Sequence, residues 1–127
     1  MARAMPVEGE QADAKTAATC AHRDVVTCRL DDLVADVRPR IDESRYGFGL
    51  VVHDEDVVLG RLRMSAVTEA PAGARAVDVM SPGPSTVRAD TDAGELAEKL
   101  DKKDLKTAIV TDPEGRLIGV VLRDQLA

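Results

Sequence analysis

The apolar positions of this 127-residue chain fall into two periodicities, and their order along the chain occurs twice. In the C-terminal half, Ala93, Leu96, Ala97 and Leu100 recur at i, i+3, i+4 and i+7, the spacing of one helix face, and Asp92 and Glu95 have capping-box spacing at its start. A short strand, Ser85 to Arg88, precedes that helix, and two dense apolar runs follow it, Thr107 to Val110 and Arg116 to Leu122. The link from Thr111 to Gly115 is polar and short enough to make the runs a hairpin. The N-terminal half repeats the order: a strand from Val25 to Arg29, a helical stripe through Leu30, Leu33, Val34, Val37 and Ile41, then Phe48 to Val52 and Val57 to Leu62 around a polar link, His53 to Asp56. Pro39 lies on that helix and predicts a kink or an early end there, because proline removes a hydrogen bond and crowds the preceding turn. A final helical piece is expected near Arg63 and near Arg123.

Sliding the chain against itself makes the repetition explicit. At an offset of 59, Thr27 to Gly60 aligns with Thr86 to Gly119 without a gap, and seven pairs are identical: Thr27/Thr86, Arg29/Arg88, Asp31/Asp90, Asp42/Asp101, Val51/Val110, Glu55/Glu114 and Gly60/Gly119. Other pairs keep their apolar character, among them Val37/Leu96, Ile41/Leu100, Leu50/Ile109 and Leu59/Ile118. The fold class expected is therefore α+β, two β-α-β-β repeats packed into one module. Neither repeat alone covers both faces of its sheet, so the two should pack face to face. The divisions expected are a flexible arm over residues 1–17, a first repeat over 18–68, a linker over 69–76 (EAPAGARA) and a second repeat over 77–127.

Composition narrows the function classes. At this length a real core forms without disulfide staples, and no apolar run approaches the roughly 20 residues that span a bilayer. Pro6, Glu8, Glu10, Gln11 and Asp13 interrupt any secretory apolar stretch, so a cytoplasmic address is expected. The net charge of -6 argues against nucleic acid as a partner, and Tyr46 and Phe48 are the only aromatic residues, too few for base-stacking platforms. Cys20 and Cys28 read as free thiols. Together with His22 they make a C-x-H-x5-C pattern that matches no common zinc spacing, so no metal site is expected. No Cys, His, Ser or Asp stands in an arrangement that nucleophilic catalysis requires, and no catalytic residue is assigned. His53 reads as an exposed loop histidine, and Lys102, Lys103 and Lys106 as a solvated helix end.

The second repeat opens Val77-Asp78-Val79-Met80-Ser81-Pro82 and continues Pro84-Ser85-Thr86-Val87, the helix, Ile109-Val110-Thr111-Asp112 and Gly115-Arg116-Leu117-Ile118-Gly119-Val120-Val121. This resembles a CBS domain, the module named after cystathionine β-synthase, and residues 18 to 67 resemble a more divergent second copy. The resemblance implies a tandem CBS pair, a Bateman module, in a stand-alone CBS domain-containing protein. It implies a pseudo-two-fold pair that commonly associates as a disc-shaped homodimer, senses adenosine-containing ligands and regulates a linked or partner protein.

In that family the nucleotide site depends on a strand-to-helix turn of Gly, two apolar residues, Ser or Thr, two further residues and then Asp. The carboxylate accepts hydrogen bonds from the ribose hydroxyls. Here Gly119 is followed by Leu122 and Gln125 at the hydroxyl and carboxylate positions, and Gly60 by Arg63 and Ala66. Asp124 stands one residue early, about 100° away on a helix. Gln125 could still meet a ribose, and Arg63 or Arg123 a phosphate. The loop around Met80 and Ser81 borders the cleft in the family. The candidate ligand contacts are thus Arg63, Met80, Ser81, Thr86, Ala108, Val110, Arg123, Asp124 and Gln125. Gly60 and Gly119 are read first as places of close backbone approach within a strand. Two functions are expected of such a chain, a non-catalytic sensor of an adenine nucleotide or a decayed pair that serves as a dimerisation or docking scaffold. No cofactor is called for beyond that ligand.

Overall fold

The structure is a computed structural model that describes residues 15–126. Residues 1–14 of the expected arm lie outside the described residues, whereas Ala17 is fully buried and opens a short helix, α1 (Ala17–Cys20). The first repeat comprises β1 (Val26–Cys28), α2 (Val34–Asp42), β2 (Phe48–Val52) and β3 (Val58–Arg63), followed by α3 (Met64–Glu69). Next come α4 (Ala76–Val79) and a two-residue strand, β4 (Ser81–Pro82). The second repeat is β5 (Thr86–Arg88), α5 (Ala93–Lys102), β6 (Thr107–Thr111) and β7 (Leu117–Leu122), closed by a 3-10 turn at Arg123–Gln125. Both repeats are thus β-α-β-β, and the fold is α+β with two sheets.

Register makes the repeats equivalent residue by residue. β1 runs parallel to β2, and β2 pairs antiparallel with β3 so that Val51 faces Gly60. β5, β6 and β7 repeat that arrangement, with Val110 facing Gly119. Each hairpin shifts register at the matching place, between Val51 and Val52 and between Val110 and Thr111.

The repeats exchange their leading segments, and most of the exchanged backbone bonds have a counterpart 59 residues away. Ala17 donates its N–H to the Thr91 carbonyl at 2.8 Å, as Ala76 does to Asp32 at 2.9 Å. Ala18 donates to Ala89 as Val77 donates to Leu30. His22 bridges Val120 on β7, while β4 pairs Ser81 with Arg61 on β3. At the centre, Val58 donates to Gly115 and Leu117 to Asp56. A pseudo-two-fold axis follows from these reciprocal bonds.

Three apolar clusters hold this arrangement. Val34, Val37 and Ile41 of α2 pack on Val51, Leu62 and Val67, with Ala76 brought in by the exchange. Ala93, Leu96 and Leu100 of α5 pack on Val110 and Val121, with Ala17 brought in. Between the sheets, Val25, Phe48, Leu50, Val52, Ile109, Leu117 and Val120 form a shared core. Each such side chain, fully buried, contributes about 1.5 to 3 kcal/mol, which the exposed sheet face of a separated repeat would forfeit.

The helix starts differ in detail from their sequence signals. Asp92 accepts from the Glu95 N–H at 3.0 Å, one half of a capping box. α2 passes through Pro39 to Asp42, so the early end expected at Pro39 does not occur. Pro39 and Ala35, whose carbonyl loses its helical donor, both lie on the exposed face, where water serves the carbonyl.

Candidate functional site

The offset alignment and the packing meet at a cleft between the repeats, with a volume of about 520 Å³, within the range of small-molecule sites. One wall is the end of β3, Arg61 and Arg63. Ser81 of β4 lies beside Arg61 on the same sheet, and the opposite wall belongs to the second repeat, where β5 and the turn before it supply Pro84, Ser85, Thr86 and Val87. Helix α5 supplies Leu96, Lys99 and Leu100, its C-cap supplies Lys103, and the start of β6 supplies Thr107 and Ala108, with Leu105 just before it.

Alternation and helical period explain who faces the cleft. Arg61 and Arg63 are two apart on β3 and so project from one face of the strand, while Leu62 between them is fully buried in the first repeat's core. Lys99 and Lys103 are four apart and share a face of α5 with Leu96. The lining therefore holds four cations and no carboxylate. Leu105, 47% exposed, and Pro84 and Val87 supply apolar surface beside them.

Arg61 is the least solvated of the four. Its guanidinium stacks on the Phe48 ring, with Cζ 4.9 Å from the ring centre, a cation–π contact. Its Nε is buried without a hydrogen-bond partner among the described residues. Burial, and after it the charge of Arg63, lowers the Arg61 pKa from the ordinary guanidinium value. Both causes disfavour the cation, and an anion set between the two arginines would relieve both.

The candidates separate into two groups. Arg63, Ser81, Thr86 and Ala108 come together in the cleft. Met80 instead packs against Gly60, and Val110 is fully buried in the second repeat's core. Arg123 lies 3.9 Å from Asp101. Gln125 accepts a hydrogen bond from His22 Nε2, which ties the closing turn to the exchanged N-terminal segment. Asp124 is exposed beside them and is not part of the lining. Arg61, Lys99 and Lys103 were not among the candidates. Lys103 was visible only as one of a cluster of helix-end lysines, and Arg61 only as a charge interrupting an otherwise apolar strand.

Among the described residues, no group of three His, Cys, Asp or Glu side chains could hold a metal ion. No helix among them is long and apolar enough to cross a membrane. The free thiols differ: Cys28 is buried, and Cys20 is partly exposed.

Residues 76–127 match the family model described as CBS domain. No curated protein matches the chain. Among solved structures, it is similar to the cytosolic domain of the Mg2+ channel MgtE in complex with ATP, with 25% identity and a TM-score of 0.76 over 91% of this chain and 49% of that one. The CBS domains of a transcriptional regulator from Streptococcus pneumoniae match with 20% identity and a TM-score of 0.76, over 88% and 96% of the two chains. CBSX2 in complex with AMP matches with 19% identity and a TM-score of 0.73, over 88% and 92%. This chain thus spans about half of the MgtE chain and nearly all of the other two.

Proposed function

We propose, from the premise that this chain is a tandem pair of CBS-type repeats with a CBS domain at residues 76–127, that it is a non-catalytic regulatory module which binds an adenosine-containing anion in its inter-repeat cleft. The observation that carries the reading is the lining: Arg61, Arg63, Lys99 and Lys103 with no carboxylate among them. The solved MgtE domain and CBSX2 are in complex with ATP and AMP respectively, which supports an adenine nucleotide as the ligand class.

The grip is on phosphate rather than on ribose. Ala66 stands where a ribose-binding carboxylate would be required, and a missing charge-assisted bond costs about 1.5 to 3 kcal/mol. Two such bonds at the lower end amount to about 3 kcal/mol, roughly a hundredfold in affinity. Arginine and lysine restore affinity only in proportion to the negative charge they meet. The ligand order is therefore ATP, then ADP, then AMP, with adenosine weakest. Pro84, Val87 and Leu105 offer the base an apolar surface.

The signal passes to a homodimer mate or a partner protein, and the module works in the cytoplasm. A thermal-shift series with AMP, ADP, ATP, NAD and S-adenosylmethionine tests the ligand class, since a ligand that binds only the folded state raises the midpoint. A shift that grows with phosphate number and shrinks with salt is expected. No shift with any of them would leave the pair as a docking scaffold and overturn the sensor reading.

A further inference from the structure

A depression of about 400 Å³ runs along the outer side of α5, lined by Thr91, Glu95, Leu96, Glu98, Lys99 and Lys102. Its charges are sorted along the helix: Glu95 and Glu98 come first, then Lys99, Lys102 and, at the C-cap, Lys103. All five side chains are exposed. Asp101, the one carboxylate among these lysines, lies 3.9 Å from Arg123. Every ion pair among the described residues is made by an arginine, so none of the three lysines has a carboxylate partner there.

The chain comes into the described structure at the acidic end of this depression. The Lys15 carbonyl accepts from the N–H of Ala93, the first residue of α5, at 2.9 Å, and Thr16 bridges Asp92. The same entry occurs 59 residues later, where the Ala74 carbonyl accepts from Val34, the first residue of α2, at 2.9 Å. There the preceding chain is α3, and its Val67 is buried with Val34, Val37 and Ile41 of α2. In the first repeat, therefore, the chain ahead of the exchanged segment already lies against the repeat's helix. The chain ahead of Lys15 approaches α5 from the corresponding place.

Its charges suit that path. Going back from Lys15, the sequence carries Asp13, Glu10 and Glu8. A cation followed by carboxylates thus runs beside carboxylates followed by cations. In extended form Asp13 lies about 7 Å and Glu10 about 17 Å from Lys15. Lys99 and Lys102 lie about 9 Å and about 14 Å along the helix from Ala93, differences that the side chains can span. Tethering at Lys15 keeps these carboxylates at a high effective concentration beside the lysines.

We propose that the depression on α5 takes the chain's own acidic segment, Glu8 to Asp13, docked through its carboxylates on Lys99, Lys102 and Lys103. Lys99 also lines the cleft between the repeats, so the docked segment competes for that cation with any anion there. The inference stands apart from the nucleotide reading, and its test contains no nucleotide.

Zero-length carbodiimide coupling of the full chain at low salt, followed by peptide mass mapping, tests it. Amide links from Glu8, Glu10 or Asp13 to Lys99, Lys102 or Lys103 are expected, and they should fade at about 0.5 M salt. Mixing chains of natural and heavy nitrogen separates links within one chain from links between two. In the triple variant Glu8→Gln, Glu10→Gln, Asp13→Asn, an acylating reagent should modify Lys99 and Lys102 about threefold faster, because a nearby carboxylate holds an ammonium in its charged, unreactive form. Lys106, outside the depression, should react as in the wild type. Links found only between chains would seat a second copy's segment there and overturn the inference. Links spread evenly over the exposed lysines, or lysine rates unchanged in the triple variant, would overturn it as well.

Discussion

Gly60 on β3 lies so close to Met80 that a Cβ at residue 60 would stand 2.4 Å from the methionine sulfur. The exchanged segment crosses β3 there, and its symmetry mate crosses β7 at Gly119, where a Cβ would stand 2.6 Å from the His22 carbonyl oxygen. Both glycines are therefore needed for close approach, one against a flexible side chain and the other against backbone. Gly119→Ala should destabilise by about 1 to 3 kcal/mol, because the backbone cannot give way, and Gly60→Ala by less. Thermal melts of Gly60→Ala, Met80→Ala and the double variant should show strong non-additivity, since truncating Met80 makes the room that the new Cβ needs. Additive effects would place Met80 elsewhere.

Pro39 costs α2 one hydrogen bond without stopping the helix. Glu98 stands at the matching place in α5. Pro39→Ala should restore the bond to Ala35 and raise stability by up to about 3 kcal/mol, the helix-interior difference between the two residues. A higher thermal midpoint checks it, and an unchanged or lower one would mean that proline is favoured at this site.

Alkaline stability should report two acids, the buried Cys28 thiol and the half-buried Tyr46 phenol. Burial pushes the Cys28 thiol up from 9.0 to about 11, and burial with the Asp24 contact also raises the Tyr46 phenol from 10.0. In each case the folded protein keeps a proton that the unfolded chain has released. The associated stability is complete below the unfolded value and is lost as pH rises through the folded one. Thermal midpoints should fall between about pH 9 and 11, less steeply in Cys28→Ala. A thiol reagent at neutral pH should modify Cys20 well before Cys28. Equal rates would contradict the burial of Cys28.

The cleft cations act in concert, so their removal should show in salt dependence as well as affinity. Arg63→Ala and Lys99→Ala should each weaken ATP binding about tenfold at low salt and flatten its fall with ionic strength. They should leave the melting curve of the free protein nearly unchanged, because both side chains are exposed. A variant that binds ATP as the wild type does would remove that cation from the site.

The amino-acid sequence by itself determined the repeat, the element order and the equivalence of residues 59 apart. Those properties live in local periodicity, in turn chemistry and in identities such as Val51/Val110 and Gly60/Gly119, and each is set within about ten residues of chain. It also showed that Ala66 and Gln125 stand at the sixth place after Gly60 and Gly119, since each is counted from a glycine in the same segment. Which candidates meet was a different matter. Arg63, Ser81, Thr86 and Ala108 converge because β4 joins the first repeat's sheet edge, and Gln125 lies outside because His22, 103 residues earlier, holds it. Lys99 and Arg61 carry no signal in the sequence that joins them, and they meet only because α5 and β3 stand on opposite sides of one cleft. Only tertiary structure decides such contacts: they form between elements of different repeats, and the exchange that places them is driven by burying a sheet face that neither repeat can cover alone.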